Sequence, residues 1–419
     1  MHVASRYVRG ATGLTGARPT KGFRRSLILR QAAVLFARQG FPSTTMDEIA
    51  DASHITKRTL YRYVTSKDQL LFDIHDTFAS ESLVAGISSD MDPVDAFIAL
   101  VRRHVEIVTE HQTEIGVFFE ERKHLSQERQ RLVELRRDAY ERYAVALIEQ
   151  GAGRDVFLDL NPRLVAQLVL GALTEMYHWY RPQGDSTPME FADRYIDLFL
   201  RGIARERRLD VPSLPAGPLP VRLDEADMSP GERVRRAAIQ EFARRGFHAT
   251  SMQDLARAAG ATKSAVMYHT GSKQRLLEEI HRETFSAAIA ALRSVSGCPG
   301  VSPSDELFGL VAAHLRFTAD RLDGVAVVNQ NMRYLDGPAY HRVDELQSEW
   351  KSYFEAAIMR GIEVGSYRNV EPDFATRTVV GMLNSVALWY KPGGSLTPDD
   401  LARVSTLLLL HGLDVRPES

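Results

Sequence analysis

The feature that most constrains this chain is that it repeats itself. Phe36, Gly40, Phe41, Thr44, Met46, Ala50, Thr56, Lys57, Ser66, Lys67, Leu70 and Leu71 match Phe242, Gly246, Phe247, Thr250, Met252, Ala256, Thr262, Lys263, Ser272, Lys273, Leu276 and Leu277 at an offset of 206 residues. Further on, Gly151, Pro162, Gly171, Trp179, Tyr180, Pro182, Gly184 and Gly202 match Gly361, Pro372, Gly381, Trp389, Tyr390, Pro392, Gly394 and Gly412 at an offset of 210. Self-similarity on this scale is the mark of a duplicated folding unit. The change of offset places a short insertion in the second copy, in the glycine- and proline-richer loop Ser294 to Asp305.

The 419 residues exceed one ordinary core, since domains run to roughly 100–200 residues. Between the copies, Leu209 to Glu232 holds five prolines and two glycines, which suits a linker because proline removes a donor and disfavours helix at the residue before it. Twenty such residues span about 60 Å when extended, at about 3.1 Å each, enough for the copies to lie side by side.

Each copy reads as helical. Ile28, Ala32, Leu35 and Phe36 fall on one face of a helix that Gly40 would end, and Val234, Ala238 and Phe242 repeat the pattern before Gly246. Amphipathic stretches follow near 93–110, 127–150 and 161–181, with Pro93 and Pro162 where a first helical turn tolerates proline. Runs of period two are absent, so no sheet is expected. The fold class is all-α, a tandem duplication in which each copy is a three-helix head followed by a larger helical domain. The expected boundaries are a flexible basic arm at 1–22, heads at 23–75 and 230–281, helical domains at 76–208 and 282–416, and a linker at 209–229.

Composition narrows the class. Apolar residues make up 44% and charged residues 25%, the balance of a soluble globular protein. Cys298 is the single cysteine, so no intrachain disulfide and no cysteine cluster for zinc can form. The N-terminal stretch scatters arginines through glycine and threonine without an apolar core, unlike a secretory signal. No apolar run approaches the ~20 residues of a membrane helix. A cytoplasmic protein is expected.

Net charge is only −2, but its distribution is uneven: Arg6, Arg9, Arg18, Lys21, Arg24, Arg25, Arg30 and Arg38 precede the first acid, Asp47. A basic end on a neutral chain fits a protein that meets phosphate at one place. For residues 1–22 alone, a tail kept soluble by arginine fits equally well.

The motif that carries chemistry is Thr44 to Leu71. Met46, Ile49 and Ala50 form the apolar face of a short helix, small residues near Ala52 and Ser53 permit a sharp turn, and Thr56 is a natural N-cap for a second helix over 57–63. That helix buries Leu60 and leaves Lys57, Arg58, Thr59, Tyr61, Arg62 and Tyr63 free to read base edges and hold phosphates in a major groove. Lys67 adds a cation at the start of the next helix, where the N-terminus already favours an anion.

The run from Phe36 to Ala50, followed by Thr56 to Leu71, resembles the N-terminal DNA-binding domain of the TetR family of bacterial transcriptional regulators. The resemblance covers both copies. It implies that the helix of Lys57 to Tyr63 is the recognition helix and that Thr45, Tyr61 and Lys67 match phosphate-contacting positions. The corresponding set in the second copy is Ser251, Thr262, Lys263, Ser264, Tyr268, His269 and Lys273. Met267 stands at the Tyr61 position and Thr270 where the family usually has an aromatic; methionine cannot donate to a phosphate. The second head therefore either reads a different half-site or serves as scaffold, and Arg233, Arg235, Arg236, Arg244 and Arg245 keep the helix before it basic.

The rest of each copy resembles the family's helical effector and dimerisation domain. Leu168 to Gly184 and Val379 to Gly394 look like the subgroup that governs fatty-acid and steroid catabolism, whose members respond to acyl-CoA thioesters. Trp179, Tyr180, Trp389 and Tyr390 read more simply as packing between the last helices. The candidate ligand residues are Phe118, Phe119, Arg122, Tyr140, Tyr143 and Met176 in the first copy, and Asn329, Asn331, Tyr353 and Phe354 in the second; Arg122 and Lys123 could meet a CoA phosphate or be a solvated face. His75 recurs as His281 and His104 as His314, but none has a partner at i+4, so inherited packing is expected rather than metal. No cofactor is expected.

The expected function is a ligand-responsive repressor, not an enzyme, since neither a nucleophile elbow nor a phosphate loop is present. Its expected partners are a double-stranded DNA operator and a small-molecule effector, and no membrane. The two copies would form an intrachain pseudo-dimer, with further homodimerisation left open. The alternative is a regulator whose first head alone reads DNA.

Overall fold

The computed structural model of the chain describes residues 21–78, 90–184, 186–202 and 228–412. Of the expected basic arm only residues 21 and 22 are among them, and of the expected linker only 228 and 229. The described residues form helices and turns, with isolated bridge residues at Phe157 and Tyr367 but no sheet. No described helix is long and apolar enough to cross a membrane.

The first head consists of α1 (Lys21–Gln39), α2 (Met46–Ala52), α3 (Lys57–Leu60) and α4 (Lys67–Phe78). Its helical domain continues with α5 (Pro93–Glu110), α6 (Gln112–Glu121), a 3₁₀ turn at Arg122–His124, α7 (Gln127–Gly153), α8 (Pro162–Thr174), α9 (Met176–Trp179) and α10 (Pro188–Arg201). The second head holds α11 (Pro230–Arg245), α12 (Met252–Ala258), α13 (Lys263–Thr270) and α14 (Lys273–Arg293). Behind it lie α15 (Pro303–Asp320), α16 (Leu322–Asn331), a 3₁₀ turn at Met332–Tyr334, α17 (Gly337–Glu363), α18 (Pro372–Trp389) and α19 (Pro398–His411).

The starts and stops follow local chemistry. Thr45 caps α2 in a capping box with Glu48, and Ser251 does the same for α12 with Asp254. Gly40 and Gly246 end α1 and α11 at φ +79° and +87°, a conformation that glycine adopts without strain. One expectation changes: α3 stops at Leu60 rather than Tyr63. The chain stays coiled, but Arg62 and Tyr63 donate to the carbonyls three residues back, Thr59 and Leu60, instead of four. Its counterpart α13 runs on to Thr270, where Gly271 stops it. Likewise α8 and α9 are interrupted at Glu175 where α18 is continuous; the Thr174 hydroxyl there bonds back to Leu170 O at 2.7 Å.

The copies meet along α8 against α18 and α10 against α19. A Cβ at Gly202 would stand 2.3 Å from Leu410 O, and one at Gly412 would stand 2.4 Å from Leu200 O. These contacts are nearly reciprocal, since Leu410 and Leu200 are repeat partners as are the two glycines. The rings of Phe191 and Tyr195 on α10 lie 6.1 and 4.7 Å from Phe374 on α18. Arg194 pairs with Glu371, and Arg368 reaches Asp197 at 2.9 Å.

Candidate nucleic-acid interface and effector cavity

In the first head, Thr56 caps α3 by accepting from Thr59 N and shares a 2.9 Å hydrogen bond with the Thr59 hydroxyl. Leu60 is fully buried, which anchors the helix and turns Lys57, Arg58, Tyr61 and Arg62 outward; Thr59 and Tyr63 are partly covered. Lys57 lies 2.8 Å from Asp47 on α2, and that carboxylate raises its ammonium above the usual lysine value. Thr45 is exposed at the N-terminus of α2. In the second head Val266 is the buried anchor, and Thr262, Lys263, Ser264, Tyr268 and His269 are exposed together with Ser251. Tyr61 and Met267 occupy matching outward positions, 48% and 42% exposed, so the two heads present different chemistry from the same scaffold.

Lys67 and Lys273 are placed differently from expectation. Lys67 Nζ donates to the carbonyls of Phe41, Pro42 and Thr44 at 2.7, 3.2 and 2.7 Å and sits over the Phe41 ring. Lys273 Nζ donates to Phe247 O and Thr250 O and sits over Phe247. An ammonium has three donors, so Lys67 spends all of them on the turn between α1 and α2. These bonds fasten that turn to α4.

Behind the heads, a cavity of about 570 Å³ opens in the first copy, within the range of small-molecule sites. Ile107, Val108, Ile115, Phe118, Phe119 and Leu170 supply apolar walls. His104 lies on one wall, its ring hydrogen-bonded to Tyr140 Oη at 2.8 Å and Thr174 Oγ1 at 3.0 Å. Burial holds that imidazole down at about 4, so it is neutral near pH 7. Charged groups line another part: Arg122, Arg137 and Arg163 with Glu134, Asp138 and Glu141. Arg163 pairs with Glu141 at 3.3 Å and Arg137 with Asp138 at 3.4 Å, whereas Arg122, partly buried beside Arg137, feels the carboxylates of Glu134 and Asp138 without a close ion pair to either. The second copy completes the wall with Asn329, Gln330, Asn384, Ser385, Leu388, Trp389, Tyr390 and Lys391.

Of the candidate ligand residues, Phe118, Phe119, Arg122, Tyr140 and Asn329 line this cavity and Tyr143 and Met176 do not; Met176 is fully buried. Asn331 is buried with its amide on Val327 O, Tyr353 takes a hydrogen bond from Arg293, and Phe354 is wholly buried against Trp350. Trp179 packs edge-on against Phe191 as expected of a packing residue, whereas Trp389 and Tyr390 line the cavity. Sequence reasoning also missed Thr174, Gln167, Glu175, Tyr177 and His178. Those residues lie on or beside the stretch that its motif marked, but polar residues within an apolar helix carry no signal of direction. Burial pushes the Glu175 carboxyl up to about 7 despite a hydrogen bond from Asn384 of the second copy.

The cavity is tied to the first head by α6 and the turn after it. Phe118 faces the ring of His75 on α4 at 5.0 Å. Glu121 accepts from Phe41 N at 3.3 Å, at the end of α1, and from Arg333 Nη2 and Tyr334 Oη of the second copy at 3.1 and 3.2 Å. Arg333 also pairs with Glu120. One carboxylate thus touches the first head, the first helical domain and the second copy.

Two short helices joined by a sharp turn, the second exposed and anchored by one buried aliphatic, with a helical body behind each and a cavity in the first, define a helix-turn-helix regulator carried twice in one chain. Comparison with known families specifies it. Residues 28–74 and 234–280 match the bacterial regulatory proteins of the tetR family, and residues 90–203 and 300–413 match the tetracyclin repressor-like C-terminal domain. These matches take in well over half of the chain, which belongs to the TetR family of transcriptional regulators and is not an enzyme. The HTH-type transcriptional repressor KstR2 of Rhodococcus jostii is 26% identical over 195 residues, covering 45% of this chain and 95% of the relative. KstR2 of Mycobacterium tuberculosis H37Rv is 27% identical over 188 residues, 44% of this chain and 94% of the relative. The solved structure of the M. tuberculosis ketosteroid regulator KstR2 is 26% identical over 43% of this chain and 93% of its own, with a TM-score of 0.37.

Proposed function

We propose that the chain is a cytoplasmic, ligand-responsive repressor whose two protomer-like halves form an intrachain pseudo-dimer on an asymmetric operator. The observation that supports this reading is the nearly reciprocal packing of α8 and α10 on α18 and α19, with His248 of the second head against Gly40 of the first. In a symmetric dimer, heads about 34–36 Å apart read a palindrome; heads that differ as Tyr61 differs from Met267 favour dissimilar half-sites. The sign of regulation follows the relatives, which are named repressors. The heads at 23–75 and 230–281 read DNA, and the domains at 76–208 and 282–416 dock on each other and together enclose the effector cavity.

The effector is an amphipathic acid, of which an acyl-CoA thioester is one class. Apolar walls suit its body, and the Arg122 guanidinium, which has no close ion pair among the described residues, suits a carboxylate or phosphate. Occupancy releases DNA by favouring a state in which α6 and its Glu121 contact hold the first head differently, which requires unequal affinity for the two states.

The test is selection of bound fragments from random DNA with the whole chain, followed by footprinting and sizing of the complex. Two dissimilar half-sites about one helical turn apart, bound by a single chain, support the proposal. Protection of one half alone favours the reading in which only the first head reads DNA, to which Met267 lends support. A palindrome bound by two chains points to a further homodimer.

A further inference from the structure

The duplication invites the expectation of two effector sites, but the two copies differ where the cavity lies. In the first copy, Ile107 and Tyr140 line the space over His104. The repeat partners of these residues are Phe317 and Trp350, and Ala144 beside them becomes Phe354. All three second-copy rings are buried. Trp350 lies 5.1 Å from His314, the partner of His104, and 5.6 Å from Phe354, whose ring also faces His314 at 6.4 Å. The aromatic cluster occupies the place that is open in the first copy. Because interiors pack to near-crystalline density, such rings leave no room for a ligand.

The second copy is nonetheless part of the open site. Asn329, Asn384, Leu388 and Trp389 close the first-copy cavity from across the interface. A ligand there touches both copies at once.

We infer that the chain carries one effector site, formed by the first copy and walled by the second, that this site takes an amphipathic anion, and that the second copy's own place is filled by Trp350, Phe354 and Phe317. The inference rests on the effector reading above and adds its stoichiometry and its asymmetry. One molecule per chain controls both heads, and the second copy is a structural and DNA-facing half rather than a second sensor.

The probe is 1-anilinonaphthalene-8-sulfonate, an apolar anion, with stoichiometry read by native mass spectrometry and by titration of its fluorescence on the folded full-length chain. The wild-type chain is expected to bind one probe. Filling the first cavity with the second copy's residues, Ile107→Phe with Tyr140→Trp, abolishes binding while circular dichroism is retained. The reverse exchange, Phe317→Ile with Trp350→Tyr, raises the count to two; a version that adds Phe354→Ala is held in reserve should the pair leave too little space. Trp389→Phe keeps the single probe but lowers energy transfer to it from protein, since Trp389 lines the site.

Two probes on the wild-type chain overturn the inference and leave the effector reading standing. One probe that survives the filling pair overturns the effector reading itself, because the bound molecule is then elsewhere. A count of one after both opening variants shows that these rings are not what closes the second copy, and also overturns the inference.

Discussion

Gly381 of the second copy lies against the backbone of Ala172 of the first, so closely that a Cβ on Gly381 would stand 2.9 Å from the Ala172 Cα and 3.2 Å from its carbonyl oxygen. A backbone neighbour cannot swing aside as a side-chain tip can. Gly381 sits in mid-helix, where alanine would ordinarily gain about 1 kcal/mol of helix stability. The clash reverses the sign: overpacking costs about 1–3 kcal/mol, so Gly381→Ala is expected to lower stability. Denaturant unfolding of the chain checks this. A rise in stability would mean that α8 and α18 are not held at this distance.

Much of this architecture was legible in the sequence, for physical reasons that differ by element. Gly40 and Gly246 marked helix ends because few other residues tolerate positive φ. Thr56 marked the second helix of the first head because orphan N–H groups need acceptors, and its repeat partner Thr262 caps α13 in the same way. The position of Lys67 was visible but its engagement was not, since a lysine that caps carbonyls and one that meets phosphate look identical in one dimension. The cavity was half legible: aromatic residues at helical spacing pointed to Phe118 and Tyr140, yet the same rule pointed to Phe354, which fills space instead. Which of two aromatic clusters is lined and which is filled depends on the summed volume of facing side chains, and that is set only when helices meet.

Lys67→Met keeps the aliphatic stem over Phe41 and removes three donors to the turn carbonyls. Hydrogen bonds from charged groups contribute about 1.5–3 kcal/mol each when well formed, and water can replace part of that at this partly exposed site. A loss of about 1–3 kcal/mol is expected by thermal or chemical unfolding. Were Lys67 instead a phosphate ligand, stability would hold and the salt dependence of operator binding would fall by about one ion.

Glu120 is buried beside Arg333 and Glu121, and burial, opposed by the Arg333 charge, pushes its carboxyl from the ordinary 4.5 up to about 7. The folded chain therefore holds this proton over a range in which the unfolded chain has lost it. Stability contributed by the protonated form is present below about pH 4.5 and is lost as pH rises through 7, at up to about 1.4 kcal/mol per unit. Glu120→Gln, which installs the residue found at its repeat partner Gln330, should flatten this slope while Arg333 keeps Glu121. Buried histidines such as His75 and His281, held near 4, change stability in the opposite direction below pH 6.5; subtracting the wild-type curve from that of the variant removes their effect. Parallel curves between pH 5 and 7 would rule the assignment out.

The two heads can be separated by salt. On each, exposed side chains surround a buried anchor: Arg58 and Tyr61 around Leu60, Lys263 and Tyr268 around Val266, with Tyr268 86% exposed. A side chain that neutralises one phosphate adds about 0.9 to the slope of log affinity against log salt. Arg58→Ala should lower operator affinity and reduce that slope by about one, and Lys263→Ala should do the same if the second head is engaged. Tyr61→Phe and Tyr268→Phe remove one donor each without changing charge, so affinity should fall with the slope nearly constant. The informative variant is Met267→Tyr, which gives the second head the first head's donor at the matching outward position. With both heads on DNA it should tighten binding to a palindrome of the first half-site relative to the native operator. If Lys263→Ala, Tyr268→Phe and Met267→Tyr all leave affinity and slope untouched, the second head holds the pseudo-dimer together and the first alone reads the operator.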